Sequence, residues 1–171
     1  MEILDFKHPS LRTKANLVIN FDDNLKKEIF ELEKFLGRRK DLKSVSAPVV
    51  GISKKIIIIS KRMLKKKTKD LHILINPKIT STTFEIEAVE DTCELFPFIK
   101  EHIVRHKGIY LWYQDLNGEK HTLELKGVIS RIVQHETDHL EGILLIDRIP
   151  ENIRKKYTDQ IRLYPEEIIR R

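Results

Sequence analysis

The sequence predicts an α+β fold, and three observations carry that reading. Strand-like segments fill the middle of the chain, a hairpin turn joins the last two of them, and a strongly apolar helix follows only afterwards. The length suits a single domain over residues 1–171.

Each element has a local reason. Leu25, Ile29, Phe30, Leu32, Phe35 and Leu36 recur at helical spacing, and Gly37 offers a stop, so residues 25–36 are expected to be helical. Ile56 to Ser60 reads as a buried strand. Leu71 to Asn76 reads as another, broken by Pro77. Residues 78–89 are expected to be extended, and 103–113 has the composition of one long strand. Asp115-Leu116-Asn117-Gly118 is a hairpin turn into a strand at 121–125. Gly127 introduces a helix whose apolar face comes from Val128, Ile129, Ile132 and Val133, and Gly142 caps its end. A short buried segment follows at 143–146. After Pro150, residues 151–163 predict a final charged helix.

Bulk properties exclude several classes. Apolar runs such as Ile56 to Ile59 are too short to cross a bilayer, and the acidic start Met1-Glu2-Ile3-Leu4-Asp5 is not expected to be a secretion signal. Cys93 is the single cysteine, so no internal disulfide forms and a reducing, cytoplasmic setting is expected. The net charge of +6 comes with basic clusters at Arg38-Arg39-Lys40, Lys65-Lys66-Lys67 and Arg170-Arg171. These lie at a helix end, in a loop and at the tail. They read as solvated surface rather than a specific nucleic-acid site.

The chemistry lies in His135-Glu136-Thr137-Asp138-His139. Histidines four apart lie one turn from each other on one side of a helix, where both reach a single metal ion. The glutamate beside the first is placed to act as a base on water. A buried histidine pair can also be plain core, but the intervening glutamate argues for the metal. Downstream, Glu141, Asp147 and Glu151 form no second motif. Cys93, as thiolate, is the better third ligand and leaves a position open.

With those residues in place the chain resembles the peptide deformylases. Gln134 to Gly142 contains that family's third motif in full. Asp91-Thr92-Cys93-Glu94-Leu95, followed by Pro97, aligns with EGCLS. Ser44 to Val49, followed by Gly51, aligns with GLAAxQ of the first motif. The resemblance implies a deformylase-like fold, with antiparallel sheets around the buried His-Glu-x-x-His helix and a C-terminal helix. It implies one divalent ion held by Cys93, His135 and His139, iron(II) natively, with zinc or nickel as substitutes. It gives Glu136 as the base and the Glu94 backbone N–H as an oxyanion donor. It places the substrate pocket at Val89, Asp91, Lys100, Val128, Arg131 and Ile132. The implied reaction is removal of formyl from the N-terminal methionine of a peptide, or of a related small acyl group from another amine. A bacterial or organellar compartment, weak ribosome association and a monomer go with it.

The chain departs from the pattern in places. Val49 stands where the family has its oxyanion-donating glutamine, and valine has nothing to donate. Thr92 and Leu95 replace the glycine and serine around the cysteine. Arg131 replaces an apolar pocket residue; it either enters the pocket paired with Asp91 or snorkels to solvent. Lys100 replaces an arginine and loses its bidentate fork. The alternative to catalysis is a weak or inactive homologue that binds metal and a peptide or nascent chain.

Overall fold

In the computed structural model, residues 1–65 and 71–163 are described. The basic residues Lys66, Lys67, Arg170 and Arg171 fall outside them. The elements are α1 (Asp23–Arg38), β1 (Ser44–Ser46), β2 (Ile56–Ile59), β3 (Ile73–Thr82), β4 (Ile86–Cys93), β5 (Phe96–His106), β6 (Gly108–Gln114), β7 (Lys120–Lys126), α2 (Gly127–Leu140), α3 (Leu145–Arg148) and α4 (Glu151–Leu163). This is the expected α+β architecture, with a helix at 151–163 as the sequence predicts.

A five-stranded antiparallel sheet runs β1-β2-β3-β6-β7, and β4-β5 form a separate hairpin. β2 is four consecutive isoleucines, all at zero exposure, because both its faces are covered. Ile56 and Ile58 belong to one core with α1, the β4-β5 hairpin and α3. Ile57 and Ile59 belong to the other, with Ile109, Leu111, Leu125 and the α2 residues Ile132, Val133 and Leu140. Strand alternation thus puts a helix layer on each side of one strand.

Three sequence expectations need correction. Pro77 does not break its strand: β3 continues to Thr82 across a register shift between Ile75 and Lys78. Asn76 takes a positive φ of 51° there, a conformation asparagine tolerates. Its side chain accepts from Val18 N–H and donates to the Val18 carbonyl, both at 2.8 Å, so the irregularity also anchors the N-terminal arm. Pro77, lacking an N–H, sits where the ladder is already interrupted.

The stretch 78–89 is not one extended piece but the end of β3, a turn and the first half of β4. Likewise 103–113 is two strands, β5 and β6. Both breaks occur at the same crossing. Thr83 N–H donates to Gly108 O (3.0 Å) and Lys107 N–H donates to Glu85 O (2.9 Å). A Cβ at Gly108 would stand 2.8 Å from the Thr83 methyl, so the chains cross this closely because residue 108 has no side chain.

Gly142 ends α2 as predicted, with φ 75°. A Cβ there would lie 2.8 Å from the backbone carbon and oxygen of Arg12. Gly142→Ala is therefore expected to destabilise the fold by roughly 1–3 kcal/mol, through left-handed strain and a backbone clash together. Urea unfolding of the metal-loaded variant beside the parent protein measures it.

Candidate metal centre

Two stripes of α2 build the site. Ile132, Glu136 and Leu140 follow one another at four-residue spacing and are buried toward the five-stranded sheet. One residue earlier in each turn, Arg131, His135 and His139 face β4. That strand alternates in burial, and its inner set is Glu87, Val89, Asp91 and Cys93. The two series pair across the gap: Arg131 with Glu87, His135 with Asp91, His139 with Cys93.

Cys93 Sγ lies 3.4 Å from His139 Nε2, which lies 3.2 Å from His135 Nε2. All three residues are under a tenth exposed. A tetrahedral ion with bonds of about 2.0–2.3 Å to nitrogen and sulfur sets its ligand atoms roughly 3.3–3.7 Å apart. The two separations lie close to that range, and all three ligand atoms lie within 4.8 Å of one another, so the set suits a single ion. Thiolate and imidazole donors suit iron, cobalt, nickel or zinc and reject magnesium.

The surrounding bonds fix the ligands. His135 Nδ1 faces both Asp91 oxygens at 3.1 Å, so Nε2 is the nitrogen left to point inward. Buried Arg105 donates to Asp91 at 3.0 Å and to Asp138 at 2.5 Å, and Asp138 also accepts from Arg148. One guanidinium thus ties the cysteine strand to the histidine helix.

Without the ion the protons sit unequally. Burial, then the charge of Glu94, pushes the Cys93 thiol up to about 11. Burial opposes a charged His135, but Asp91 and Cys93 outweigh it and raise that imidazole well above its ordinary value. Burial and the charges on His135 and Arg105 hold His139 well below. Burial works against an ionised Asp91, and His135 and Arg105 overcome it, holding Asp91 below the usual carboxylate range.

Glu136 is 2 % exposed, and its Oε1 accepts a 2.6 Å hydrogen bond from the Ser44 hydroxyl. Its Oε2 is buried with no hydrogen-bond partner among the described residues, and so is Oε1 of Glu94. Burial and the charge of Glu136 push the Glu94 carboxyl up to about 7. Glu94, Glu136 and His139 also lie close enough to share a cation. The replacement of leucine by Glu94 therefore adds a second carboxyl inside the site.

A cavity of about 210 Å³ opens here, with Val89, Asp91, Val128, Arg131 and Ile132 on its wall. Of the six predicted pocket residues Lys100 is the exception: it is exposed on β5 and is not on the cavity wall. Arg131 enters the wall, but its partner is Glu87 at 2.5 Å rather than Asp91, which Arg105 and His135 already occupy. Val49 is fully buried among apolar side chains that include those of Cys93 and Leu95, and it is not on the cavity wall.

Ser44, Arg105 and Asp138 hold the site together and were not singled out in the sequence. Asp138 had a signal, since an acid on the buried side of an apolar helix needs a cation. Ser44 and Arg105 had none that is local.

A buried Cys-His-His cradle with a carboxylate beside it, on a helix laid across antiparallel sheets, defines the class of metal-dependent hydrolases. Comparison with known proteins narrows it: the chain belongs to the polypeptide deformylase family, whose model matches residues 1–155. A peptide deformylase of Thermotoga sp. strain RQ2 is 38% identical over 161 residues, covering 92% of this chain and 94% of the relative. The chloroplastic peptide deformylase 1B of Solanum lycopersicum is 28% identical over 180 residues, and there the match spans 64% of the relative's length. Among solved structures, a Plasmodium falciparum peptide deformylase in complex with an inhibitor superposes with a TM-score of 0.82 at 35% identity, covering 99% of this chain and 100% of that one. The Thermotoga maritima enzyme gives 0.78 at 38% identity, covering 87% and 97%.

Proposed function

We propose that this chain hydrolyses the N-formyl amide of peptides, releasing formate and a free amino terminus. The observation that carries this is the convergence of Cys93 Sγ and His135 Nε2 on His139 Nε2, at 3.4 and 3.2 Å, beside a buried Glu136. Bound there, a divalent ion supplies Lewis acidity and makes an attacking water acidic enough to lose its proton near neutrality. Iron(II) is the ion proposed, with zinc or nickel able to replace it on the same donors.

Glu136 takes the proton of the attacking water and passes it to the leaving amine, so no net proton is consumed by the chain. The Glu94 backbone N–H donates to the oxygen on which charge develops. Val89, Val128 and Ile132 receive the apolar part of the first side chain, and the Arg131–Glu87 pair closes that pocket with a neutralised charge. Peptides leaving the ribosome are the proposed substrates, met in a bacterial or organellar compartment by a monomer that binds ribosomes weakly. No helix of the described residues is long and apolar enough to cross a membrane.

The test is to load the protein with iron(II) under anaerobic conditions and offer formyl-Met peptides beside other formyl- and acetyl-amines. Formate release from formyl peptides is expected. No turnover on any of them, with one metal bound per chain, sinks the catalytic reading. The fully buried Val49, at the position of the family's donor, would then favour a homologue that binds peptide without cleaving it.

A further inference from the structure

We propose that Ser44 is a positioning residue for Glu136: its hydroxyl holds one carboxylate oxygen so that the other faces the reacting water. The proposal deepens the deformylase reading and rests on it for its kinetic consequences.

The geometry is one-directional. An ionised carboxylate only accepts, so the 2.6 Å contact spends the single Ser44 proton on Glu136 Oε1. Oε2 is left buried and without a partner among the described residues. A glutamate on an otherwise apolar stripe, between Ile132 and Leu140, has no other hydroxyl or amide bonded to its side chain among the described residues. Free to turn about its last torsion, it would present either oxygen, or neither, to the water. The bond from Ser44 selects one.

Ser44 is itself held firmly. It pairs with Ile59 across the β1-β2 ladder, and the Ser60 N–H donates to the Lys43 carbonyl at 2.8 Å just beyond it. Val45 points to the opposite face and is fully buried in the core under α1. Strand alternation then forces Ser44 and Ser46 toward α2, and a slip by one residue would bury the hydroxyls on the wrong side. The hydroxyl therefore stands on fixed backbone, as positioning requires. In the first-motif alignment this position belongs to a glycine, which offers no hydroxyl. A chain with that glycine could not make this contact, and here it stands in a site that lacks the amide donor at Val49.

The expected consequence is a split between kcat and KM. Ser44 lies on the cavity wall, yet its proton is committed to Glu136 and not to substrate. On iron(II)-loaded full-length protein with a formyl-Met peptide, Ser44→Ala is expected to lower kcat by about tenfold or more, the effect of losing a hydrogen bond to a charged group. KM should stay within roughly twofold. Metal stoichiometry should not change, and the melting temperature should fall by only a few degrees, roughly the cost of one unpaired buried oxygen. Ser44→Thr, which keeps the hydroxyl, is expected to restore most of kcat, and Ser44→Gly serves as a second deletion should alanine disturb the strand. In the Glu136→Gln background, Ser44→Ala should cost nothing further.

An unchanged kcat in Ser44→Ala, a change in KM alone, or a threonine variant no better than alanine overturns the proposal. Crystal structures of the zinc-loaded parent and Ser44→Ala give a readout independent of turnover. Glu136 should keep one conformation with Ser44 and move or split without it, and an unmoved Glu136 also overturns the proposal. If the parent protein itself releases no formate, the deformylase reading fails, while the crystallographic pair still decides whether Ser44 holds Glu136.

Discussion

Glu136→Gln should reduce kcat on formyl peptides by about 10²–10⁴, the share that a positioned general base supplies, while one metal ion per chain remains bound. The substitution isolates the proton transfer. Glutamine has the volume of glutamate, so the packing between Ile132 and Leu140 is kept. Its amide oxygen still accepts from Ser44, as Glu136 Oε1 does. Cys93, His135 and His139 are untouched, so the donor set for the ion is intact. What disappears is the capacity to take a proton from water and return it to the amine. Formate release against metal content, measured on one preparation, checks both halves. Activity within tenfold of the parent would mean another group is the base. Glu94, whose buried Oε1 also lacks a partner among the described residues, would be the first to replace.

The His-Glu-x-x-His helix was legible because period and chemistry coincide in it. The apolar positions that make α2 a buried helix also fix which way Glu136 points, and the histidines follow one residue behind. The final helix and the hairpin turn at Asp115 were legible for the same reason: their signals are local. Cys93 as third ligand was legible only by elimination, as the single cysteine in a chain whose downstream acids form no second motif, and the resemblance then gave it a place.

What sequence could not show is who faces whom. Asp91 was the natural partner for Arg131 on charge alone. Strand alternation places both Glu87 and Asp91 on the inner face of β4, and Arg105 claims the second. That arginine comes from β5, where the hairpin register sets it opposite Glu87, and its side chain reaches along the strand to Asp91. The Ser44–Glu136 bond spans 92 residues and depends on β1 being an edge strand packed under α2, a fact of sheet order. The misread strands at Pro77 and at residues 103–113 have the same origin. Asn76 and Gly108 carry the departures, and each does so through contacts with a segment remote in sequence.

The protons of the metal-free site make the apparent metal affinity steeply dependent on pH. Ligands bind an ion only when deprotonated, so each proton that must leave contributes about a tenfold change in affinity per pH unit. Cys93, with its thiol pushed up to about 11, carries its proton throughout the neutral range. Burial opposes a charged His135, but Asp91 raises it well above its ordinary value, so it carries one as well. His139, held well below, is already free. Two protons are therefore displaced on binding, and affinity is expected to rise by about 100-fold per pH unit on the acid side of neutrality. Above the raised His135 value only the thiol proton remains, and the slope falls to about tenfold per unit up to pH about 11. The sign is fixed: both retained protons oppose the ion, so acid weakens it. Competition of zinc between the protein and a chelator of known proton affinity, at several pH values, measures the slope. Asp91→Asn provides the internal check. Without the carboxylate that holds its proton, His135 should titrate lower, and the change of slope should move toward acid. A flat profile in the parent protein would mean that the thiol and imidazole are already deprotonated without the ion, and that the electrostatics of the empty cradle are not as burial and Asp91 make them.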